Sequence, residues 1–297
     1  MTKSTSVVSF ETTIEKIYGK EGAKWLEELP GFLRDMALKY NLTELTPFPS
    51  LTYNYVASGF QKGVPVILKR SMDTAGLARE AMALRCFKDR GTVTAIAEEP
   101  GMLLLERAVP GTSLKSFFPH KDEESIQIAC SLMQRLHRSA IPQNHPFPHI
   151  RDWLKALDTA TCIPESSLQK AKKMRDFLLQ TRGADTLLHG DLHHDNILWQ
   201  GNDWVVIDPK GVIGERAFEV AAFIRNPIPE LLHHVDAPNS IQGRVTRFAE
   251  LLELPYQRIL DWCFVQAVLA WVWAEEDQLP TTYFEKTTAI LNTLEGF

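Results

Sequence analysis

The chain has 297 residues, of which 44% are hydrophobic and 23% charged, with a net charge of −5. This composition predicts one large globular domain or two modest lobes and excludes a disordered or fibrous protein. The acidic balance argues against a general nucleic-acid binder and leaves room for a cationic partner. The start lacks the apolar stretch of a signal peptide, and the longest apolar run, 264–274, is too short to span a bilayer. We therefore expect a cytoplasmic protein that acts without a membrane.

The first third of the chain is predicted to form helices and a small sheet. Residues 20–40 follow a helical pattern, which the Leu-Pro-Gly sequence at 29–31 is expected to break. Asp73 can cap a second helix that runs to about Arg90. Short segments rich in Thr, Tyr and Val, separated by Pro or Gly turns, predict strands. These strands are 43–50, 52–58, 64–70, 93–98 and 102–107.

After residues 109–111 the sequence becomes mostly helical. Residues 122–138 place apolar side chains on one face at helical spacing. One β island, 186–208, is embedded in this helical half. The other predicted helices are 150–157, 166–181, 218–224, 244–252 and 256–276.

This order of elements predicts an α+β fold with two lobes. Residues 1–107 are expected to form a small antiparallel β lobe with one helix. Residues 108–111 would be a hinge, and residues 112–297 a larger, mostly helical lobe.

The most informative segment, 189–208, reads HGDLHHDNILWQGNDWVVID. Its second half predicts a hairpin that sets Asp191, Asn196 and Asp208 at neighbouring strand ends. Phosphoryl transfer needs one carboxylate to orient or accept the proton of the attacking hydroxyl, and oxygen ligands to hold Mg²⁺ against the phosphates. The spacing of Asp191 and Asn196 is that of the kinase catalytic loop. The segment therefore predicts a kinase that uses ATP and Mg²⁺; the simpler alternative is a polar loop that caps a hairpin.

A second feature supports this interpretation independently. Glu80 falls on the inward apolar stripe of the helix after Asp73, where an unpaired carboxylate would be costly to desolvate. Lys69, at the end of strand 64–70, is its natural partner, and kinases use such a Lys–Glu pair to position the α- and β-phosphates. The alternative is that Glu80 is an exposed surface charge.

With these motifs in place, the sequence resembles the aminoglycoside phosphotransferase superfamily, whose catalytic loop commonly reads HGD-x-H-x-x-N. VIDPK at 206–210, GERAFE at 214–219 and RNP at 225–227 are similar to the streptomycin 6-kinase and hydroxyurea kinase branch. The resemblance is specific over 187–227 and weaker, though collinear, over 64–114. It implies a protein-kinase-like fold in which the N-terminal lobe binds the nucleotide and the C-terminal lobe carries catalysis and the acceptor.

The resemblance also implies roles for individual residues. Two departures from the family pattern concern the site: no glycine-rich phosphate loop precedes Lys69, so Ser50 and Thr52 are candidates to contact the phosphates, and Glu219 stands where Asp is usual beneath the catalytic loop. The implied roles are Asp191 as catalytic base, Asn196 and Asp208 as Mg²⁺ ligands, Lys69 as phosphate-binding lysine, Glu106 and Ala108 as backbone contacts to adenine, and His189 as a residue that orients the loop.

The acceptor is predicted to be a small-molecule alcohol, and a cationic one is compatible with the acidic C-terminal segment. Glu275, Glu276 and Asp277, with Trp271 or Trp273, are candidates to line its pocket; a solvated helix end is the alternative. The acceptor could be streptomycin-like, hydroxyurea-like or an unrelated metabolite alcohol, and ATP versus GTP stays open.

Two other classes of protein compete with the kinase. The missing glycine-rich loop favours a catalytically silent nucleotide-binding module, whereas the full set of kinase residues favours an enzyme. A metal hydrolase is a distant third, because the His- and Asp-rich segment lacks HxHxDH or HExxH spacing.

Overall fold

The computed structural model describes residues 9–294, which fold as two units. The first unit comprises the chain up to Arg85 together with Val93–Val109. The second comprises Cys86–Thr92 and the chain from Pro110 onward. None of the helices within residues 9–294 is both long and apolar enough to cross a membrane.

An antiparallel sheet of five strands, in the order β1-β2-β3-β5-β4, organises the first unit. Alternate side chains of the sheet form a core that includes Leu42, Val66 and Leu104, and the first helix packs against this core through Phe32 and Met36. The elements are α1 (Phe10–Tyr40), β1 (Leu42–Pro47), β2 (Tyr55–Gln61), β3 (Val64–Arg70), α2 (Thr74–Cys86), β4 (Ala95–Glu99) and β5 (Met102–Glu106).

The first helix differs from its prediction. It begins at Phe10, where the Ser9 side chain accepts a hydrogen bond from the Thr12 N–H, and it runs through 29–31 without a break. Its kink lies instead at Gly19, whose φ of 58° and ψ of −131° suit a residue without a side chain. Beyond the kink, a Cβ atom on Gly22 would lie 2.7 Å from the Ile14 carbonyl oxygen, although eight residues of straight helix span about 12 Å. The first turns therefore fold back on the helix, and this tertiary contact is invisible in local sequence.

Helices dominate the second unit, and α10 runs through its interior with contacts to α6, α7 and α11. Two small antiparallel sheets, ordered β6-β8-β9 and β10-β7, lie beside the helices. The helices are α3 (Asp122–Leu136), α4 (Ile150–Trp153), α5 (Ala156–Thr159), α6 (Glu165–Gln180), α7 (Arg216–Ile224), α8 (Glu230–His233), α9 (Ala237–Leu252), α10 (Tyr256–Glu276) and α11 (Thr282–Thr293). The strands are β6 (Pro110–Ser113), β7 (Thr186–Leu188), β8 (Ile197–Gln200), β9 (Asp203–Val206) and β10 (Val212–Gly214).

The predicted α+β class is confirmed, with the strands of the first unit antiparallel and the second unit mostly helical. The sequence interpretation missed β6, β10, α8 and α11, and it predicted only 244–252 of α9. Strands of three or four residues such as Pro110–Ser113 carry no periodicity, because pairing with a distant strand, here β8, is what makes them strands. The single helix predicted at 150–157 is two short helices, α4 and α5.

Candidate active site

The β8–β9 hairpin brings two of the predicted metal ligands to the same end of a ladder. Ile197 pairs with Val206, and the Ile207 N–H donates to the Asn196 carbonyl at 3.0 Å, which extends the pairing by one step. Asp208 follows immediately, with a φ of 59°, in the left-handed region that a non-glycine residue rarely occupies. Asn196, just before β8, and Asp208, shortly after β9, therefore lie next to each other at the same end of the hairpin.

The loop between Asp191 and Asn196 is closed by its own side chains. The Asn196 amide nitrogen donates to the Asp191 backbone oxygen at 2.9 Å and lies 3.3 Å from Nε2 of His193. A single 3-10 turn, His194–Asn196, links the loop to β8. This arrangement brings Asp191 to the same end of the hairpin as Asn196 and Asp208.

Glu219 on α7 supports this loop from beneath. One carboxylate oxygen accepts the His189 N–H at 2.6 Å and the other accepts the Gly190 N–H at 2.9 Å, and the side chain is fully buried. Gly190 has a φ of 87°, and a Cβ atom there would lie 2.9 Å from the ring of Trp153. Both the backbone angle and the ring therefore require glycine. The Glu219 side chain, one methylene longer than the Asp usual at this position, contacts the loop with both of its oxygens.

His189 is fully buried and orients the loop through both ring nitrogens. Its Nε2 lies 2.8 Å from the Ile207 carbonyl, and its Nδ1 accepts the Asp191 N–H at 3.1 Å. Burial lowers the pKa of His189, against the opposing effect of the Glu219 carboxylate. The neutral ring with its proton on Nε2 satisfies both bonds, so His189 positions Asp191 without titrating near neutral pH.

The Asp191 side chain is 30% exposed and lies between an arginine and a histidine. Nη2 of Arg225 lies 3.7 Å from Oδ1, and Nε2 of His193 lies 3.8 Å from Oδ2. Burial acts to raise the pKa of Asp191, but the charges of His193, Lys210 and Arg225 outweigh it and hold that pKa below its usual range. Asp191 is therefore a carboxylate at neutral pH, able to orient a hydroxyl and to receive its proton.

Asn196 and Asp208 fit a magnesium site of the nucleotide-dependent kind. The hydrogen bonds of Asn196 use its amide nitrogen, so the amide oxygen is available to a cation. Asp208 places one oxygen 2.5 Å from Nζ of Lys210. Residues 9–294 contain no cluster of three His, Cys, Asp or Glu side chains suited to a metal. Two oxygen ligands match Mg²⁺, which commonly binds through one or two protein oxygens together with phosphate oxygens and water.

In the first unit, Lys69 and Glu80 form a buried ion pair. Their charged atoms are 2.6 Å apart, and the side chains are 8% and 7% exposed. Lys69 lies near the end of β3, and Glu80 lies on the inward face of α2. The alternative of an exposed Glu80 is thereby excluded.

The other candidates of the first unit lie in different segments. Ser50 and Thr52 are exposed in the loop between β1 and β2. The Glu106 backbone N–H donates to the Thr94 carbonyl at 2.9 Å, and Ala108 is buried just before the chain enters the second unit.

The acidic candidates occupy the C-terminal end of α10, where Glu275 and Glu276 are the last residues of the helix and Asp277 caps it. Trp273 at this end is 37% exposed and packs edge-on against Trp153 with ring centroids 5.9 Å apart, and a Cβ atom on Gly190 would lie 2.9 Å from the Trp153 ring. Two tryptophans thus lie between the acidic end of α10 and the loop that carries Asp191.

Trp271 is placed differently from Trp273. It is buried and lines a cavity of about 400 Å³ together with residues of α6 and α11.

The sequence interpretation missed Trp153 and Arg225 as neighbours of the catalytic loop. Arg225 entered the sequence analysis only as part of the RNP motif. The one signal that sets it apart is its position directly after the apolar helix 216–224. Trp153 had no signal, since a lone tryptophan usually packs in a core.

Comparison with known proteins identifies the family of this chain. The family model described as aminoglycoside/hydroxyurea antibiotic resistance kinase matches residues 49–278. Streptomycin 3''-kinase of Klebsiella pneumoniae is 30% identical over 191 residues, 62% of this chain and 70% of the relative. Streptomycin 6-kinase of Streptomyces griseus is 24% identical over 275 residues, 88% of each chain.

Similarity to solved structures identifies the fold. The aminoglycoside phosphotransferase APH(4)-Ia, in a ternary complex with ADP and hygromycin B, superposes with a TM-score of 0.66 at 14% identity, covering 89% of this chain and 99% of that one. The predicted protein-kinase-like fold is confirmed by this likeness. The chain belongs to the aminoglycoside/hydroxyurea antibiotic resistance kinase family, a family of phosphotransferases that act on alcohol groups.

Proposed function

We propose that this protein transfers the γ-phosphate of ATP, with Mg²⁺, to a hydroxyl group of a cationic small molecule of the aminoglycoside type. The observation that carries the proposal is the convergence of Asp191, Asn196 and Asp208 at one end of the β8–β9 hairpin, on a loop that Glu219 and His189 hold in place. A loop that only capped a hairpin would need no such buried support.

Asp191 is the catalytic base in this proposal. Its carboxylate orients the acceptor hydroxyl and takes its proton as the oxygen attacks the γ-phosphorus. Asn196 and Asp208 would hold Mg²⁺, which when bound neutralises charge on the phosphates. His189 and Glu219 keep the loop backbone fixed, so that Asp191 does not need to reorganise during the reaction.

We assign nucleotide binding to residues 1–107, the hinge to 108–111, and catalysis with acceptor binding to 112–297. Lys69, fixed by Glu80, would position the phosphates. Two further pairs of residues complete the proposed nucleotide site. Ser50 and Thr52 would contact the phosphates, and the backbones of Glu106 and Ala108 would contact adenine.

The acceptor side of the proposal rests on charge. Glu275, Glu276 and Asp277 gather at a helix C-terminus, where the helix dipole already favours positive charge. Three carboxylates there repel one another and the dipole, and a cationic acceptor would relieve this repulsion. The nearby tryptophan pair, Trp153 and Trp273, offers flat apolar surface beside the catalytic loop. Trp271 would then support the helix rather than touch the acceptor.

The test is phosphate transfer from Mg·ATP to a panel of acceptors that includes streptomycin, other aminoglycosides, hydroxyurea and small neutral alcohols. Asp191→Ala is run in parallel, and Asp203→Ala serves as a control, since Asp203 lies on the same hairpin but pairs with Arg135. Loss of a general base typically lowers the rate about 10²- to 10⁴-fold.

Transfer to a cationic acceptor that disappears in Asp191→Ala and persists in Asp203→Ala is the expected result. Transfer only to neutral alcohols would keep the kinase and overturn the aminoglycoside-type acceptor. Nucleotide binding without transfer to any compound would favour a catalytically silent module, and equal turnover in Asp191→Ala would overturn the role of the base.

A further inference from the structure

Arg225 lies directly after α7, with a side chain that is only 15% exposed and directed at Asp191. Its Nη2 atom is 3.7 Å from Oδ1 of Asp191, while its Nη1 atom donates to Oε1 of Gln266 on α10 at 2.9 Å. The amide nitrogen of Gln266 in turn donates to the Phe218 carbonyl, which fixes the direction of the amide. The guanidinium is therefore held in one orientation by its neighbours.

The main chain of Arg225 is held as well. The Tyr283 hydroxyl on α11 donates to the Arg225 carbonyl at 2.5 Å. Three helices, α7, α10 and α11, thus fix one residue whose charge faces the active carboxylate. Burial lowers the pKa of the guanidinium and Asp191 acts in the opposite sense, yet arginine stays charged in proteins.

A purely structural ion pair in the same unit looks different. Arg258 donates to both oxygens of the buried Glu215 carboxylate, at 2.7 and 2.8 Å, and so uses the acceptor capacity of that group. Arg225 faces only Oδ1 of Asp191 and does so at a longer distance. The second oxygen, Oδ2, has Nε2 of His193 3.8 Å away, which is beyond hydrogen-bond distance, so Oδ2 keeps its capacity to accept a proton.

We propose that Arg225 is a positioning residue that holds the Asp191 carboxylate through Oδ1, so that Oδ2 is the atom that receives the proton of the acceptor hydroxyl. This inference rests on the phosphate transfer proposed above. In that step the hydroxyl O–H bond breaks and its proton passes to Oδ2. The hydroxyl oxygen bonds to the γ-phosphorus, and the bond from the γ-phosphorus to the β–γ bridging oxygen breaks, with its electron pair leaving on ADP.

The test compares steady-state kinetics of the wild-type enzyme with Arg225→Gln, Arg225→Lys and Gln266→Leu. Because misplacing a reacting group by about 1 Å can lower the rate on the order of 10²-fold, we expect Arg225→Gln to lower kcat by about that factor with KM for ATP unchanged. Arg225→Lys restores a cation without the guanidinium fork and should recover part of the lost kcat. Gln266→Leu, which frees the guanidinium to turn, should lower kcat less than Arg225→Gln.

Arg175→Gln is the matched control. Arg175 is 12% exposed and forms ion pairs with Asp158 and Asp176 on the surface of the same unit. It should lower Tm and leave kcat unchanged. An unchanged kcat in Arg225→Gln, or a loss that Arg225→Lys does not reduce, would overturn the positioning role.

A second measurement does not depend on turnover. The Tm changes of Asp191→Asn, Arg225→Gln and the double variant form a cycle, and a direct pair predicts that the double change differs from the sum of the single ones. Additive changes in Tm would overturn the pairing. If the wild-type protein transferred no phosphate, the proposed function would fail, and this cycle would still decide whether Arg225 holds Asp191.

Discussion

The Glu219 carboxylate accepts the backbone N–H of His189 at 2.6 Å, and both residues are almost completely excluded from solvent. The other carboxylate oxygen accepts the next N–H along the chain, at 2.9 Å. One buried acidic side chain on a helix therefore satisfies two successive donors of the loop that carries Asp191. The conformation of that loop depends on a residue that cannot itself touch a substrate.

Replacing Glu219 with Gln should destabilise the protein and slow turnover. An amide has one acceptor oxygen, so one buried N–H would face an NH₂ group, and an unsatisfied buried donor costs about 1–3 kcal/mol. Urea denaturation measures this loss. Glu250→Gln, which removes an exposed partner of Arg247, should cost no more than about 1 kcal/mol and serves as the control. Equal unfolding midpoints for the two variants would contradict the supporting role of Glu219.

Lys69→Met should unfold more easily than the wild-type protein by about 3–5 kcal/mol, because the buried Glu80 carboxylate loses the ammonium 2.6 Å away. The double variant Lys69→Met/Glu80→Leu removes both charges and should recover much of the stability. It should not recover phosphate transfer, since the proposed phosphate-binding group is still absent. Chemical denaturation and KM for ATP separate the two effects. Restored transfer in the double variant would show that Lys69 has only a structural role.

Local patterns predicted the elements whose residues determine their own conformation. Strand β3 (Val64–Arg70) and helix α10 (Tyr256–Glu276) have the predicted bounds, since each combines a clear period with a defined start. The kink at Gly19, by contrast, goes with a close approach of Gly22 to Ile14, and the expected break at Pro30 does not occur. Leu29, beside Pro30, packs in a cluster with Phe10 and Ile14, and such tertiary contacts are absent from local patterns.

The candidate site shows the same contrast between local and tertiary features. The spacing of Asp191 and Asn196 could be predicted because both residues lie in one loop that leads directly into the hairpin. The approach of Arg225 to Asp191, and that of Trp153 to Gly190, involve elements that are distant in sequence. No pattern within a single segment carries such information.

Stability should fall as pH drops below about 6.5, and His189 should account for part of the loss. Burial lowers the pKa of His189 in the folded protein, whereas in the unfolded chain it stays near 6.5. The unfolded state therefore binds more protons below that pH, so the stabilisation present above it is lost as pH falls toward the folded-state pKa, by up to about 1.4 kcal/mol per pH unit.

The measurement is Tm at pH 7.5 and pH 5.5 for the wild-type protein and for His189→Leu. The variant should be less stable at both values because it loses two hydrogen bonds. Its decrease in Tm between the two pH values should nevertheless be smaller. Identical decreases would mean that His189 contributes nothing to the acid sensitivity.

Asp208→Asn should raise the Mg²⁺ concentration needed for half-maximal transfer, because the variant replaces a charged oxygen ligand with a neutral one. Chelation of Mg²⁺ should abolish transfer by the wild-type enzyme. Asp195→Asn, four residues from Asp191 and exposed, is the control and should keep the wild-type Mg²⁺ dependence. A Mg²⁺ requirement in Asp208→Asn equal to that of the control would remove Asp208 from the proposed metal site.

Neutralising the acidic end of α10 should weaken binding of a cationic acceptor. Exposed ion pairs contribute up to about 1 kcal/mol each, so the triple variant Glu275→Gln/Glu276→Gln/Asp277→Asn should raise KM for the acceptor by roughly tenfold at low salt. The difference from wild type should shrink as salt screens the charges. KM for ATP should stay the same, and Glu250→Gln/Glu253→Gln, at the end of α9, should change neither constant. An unaltered acceptor KM in the triple variant at low salt would place the acceptor elsewhere on the second unit.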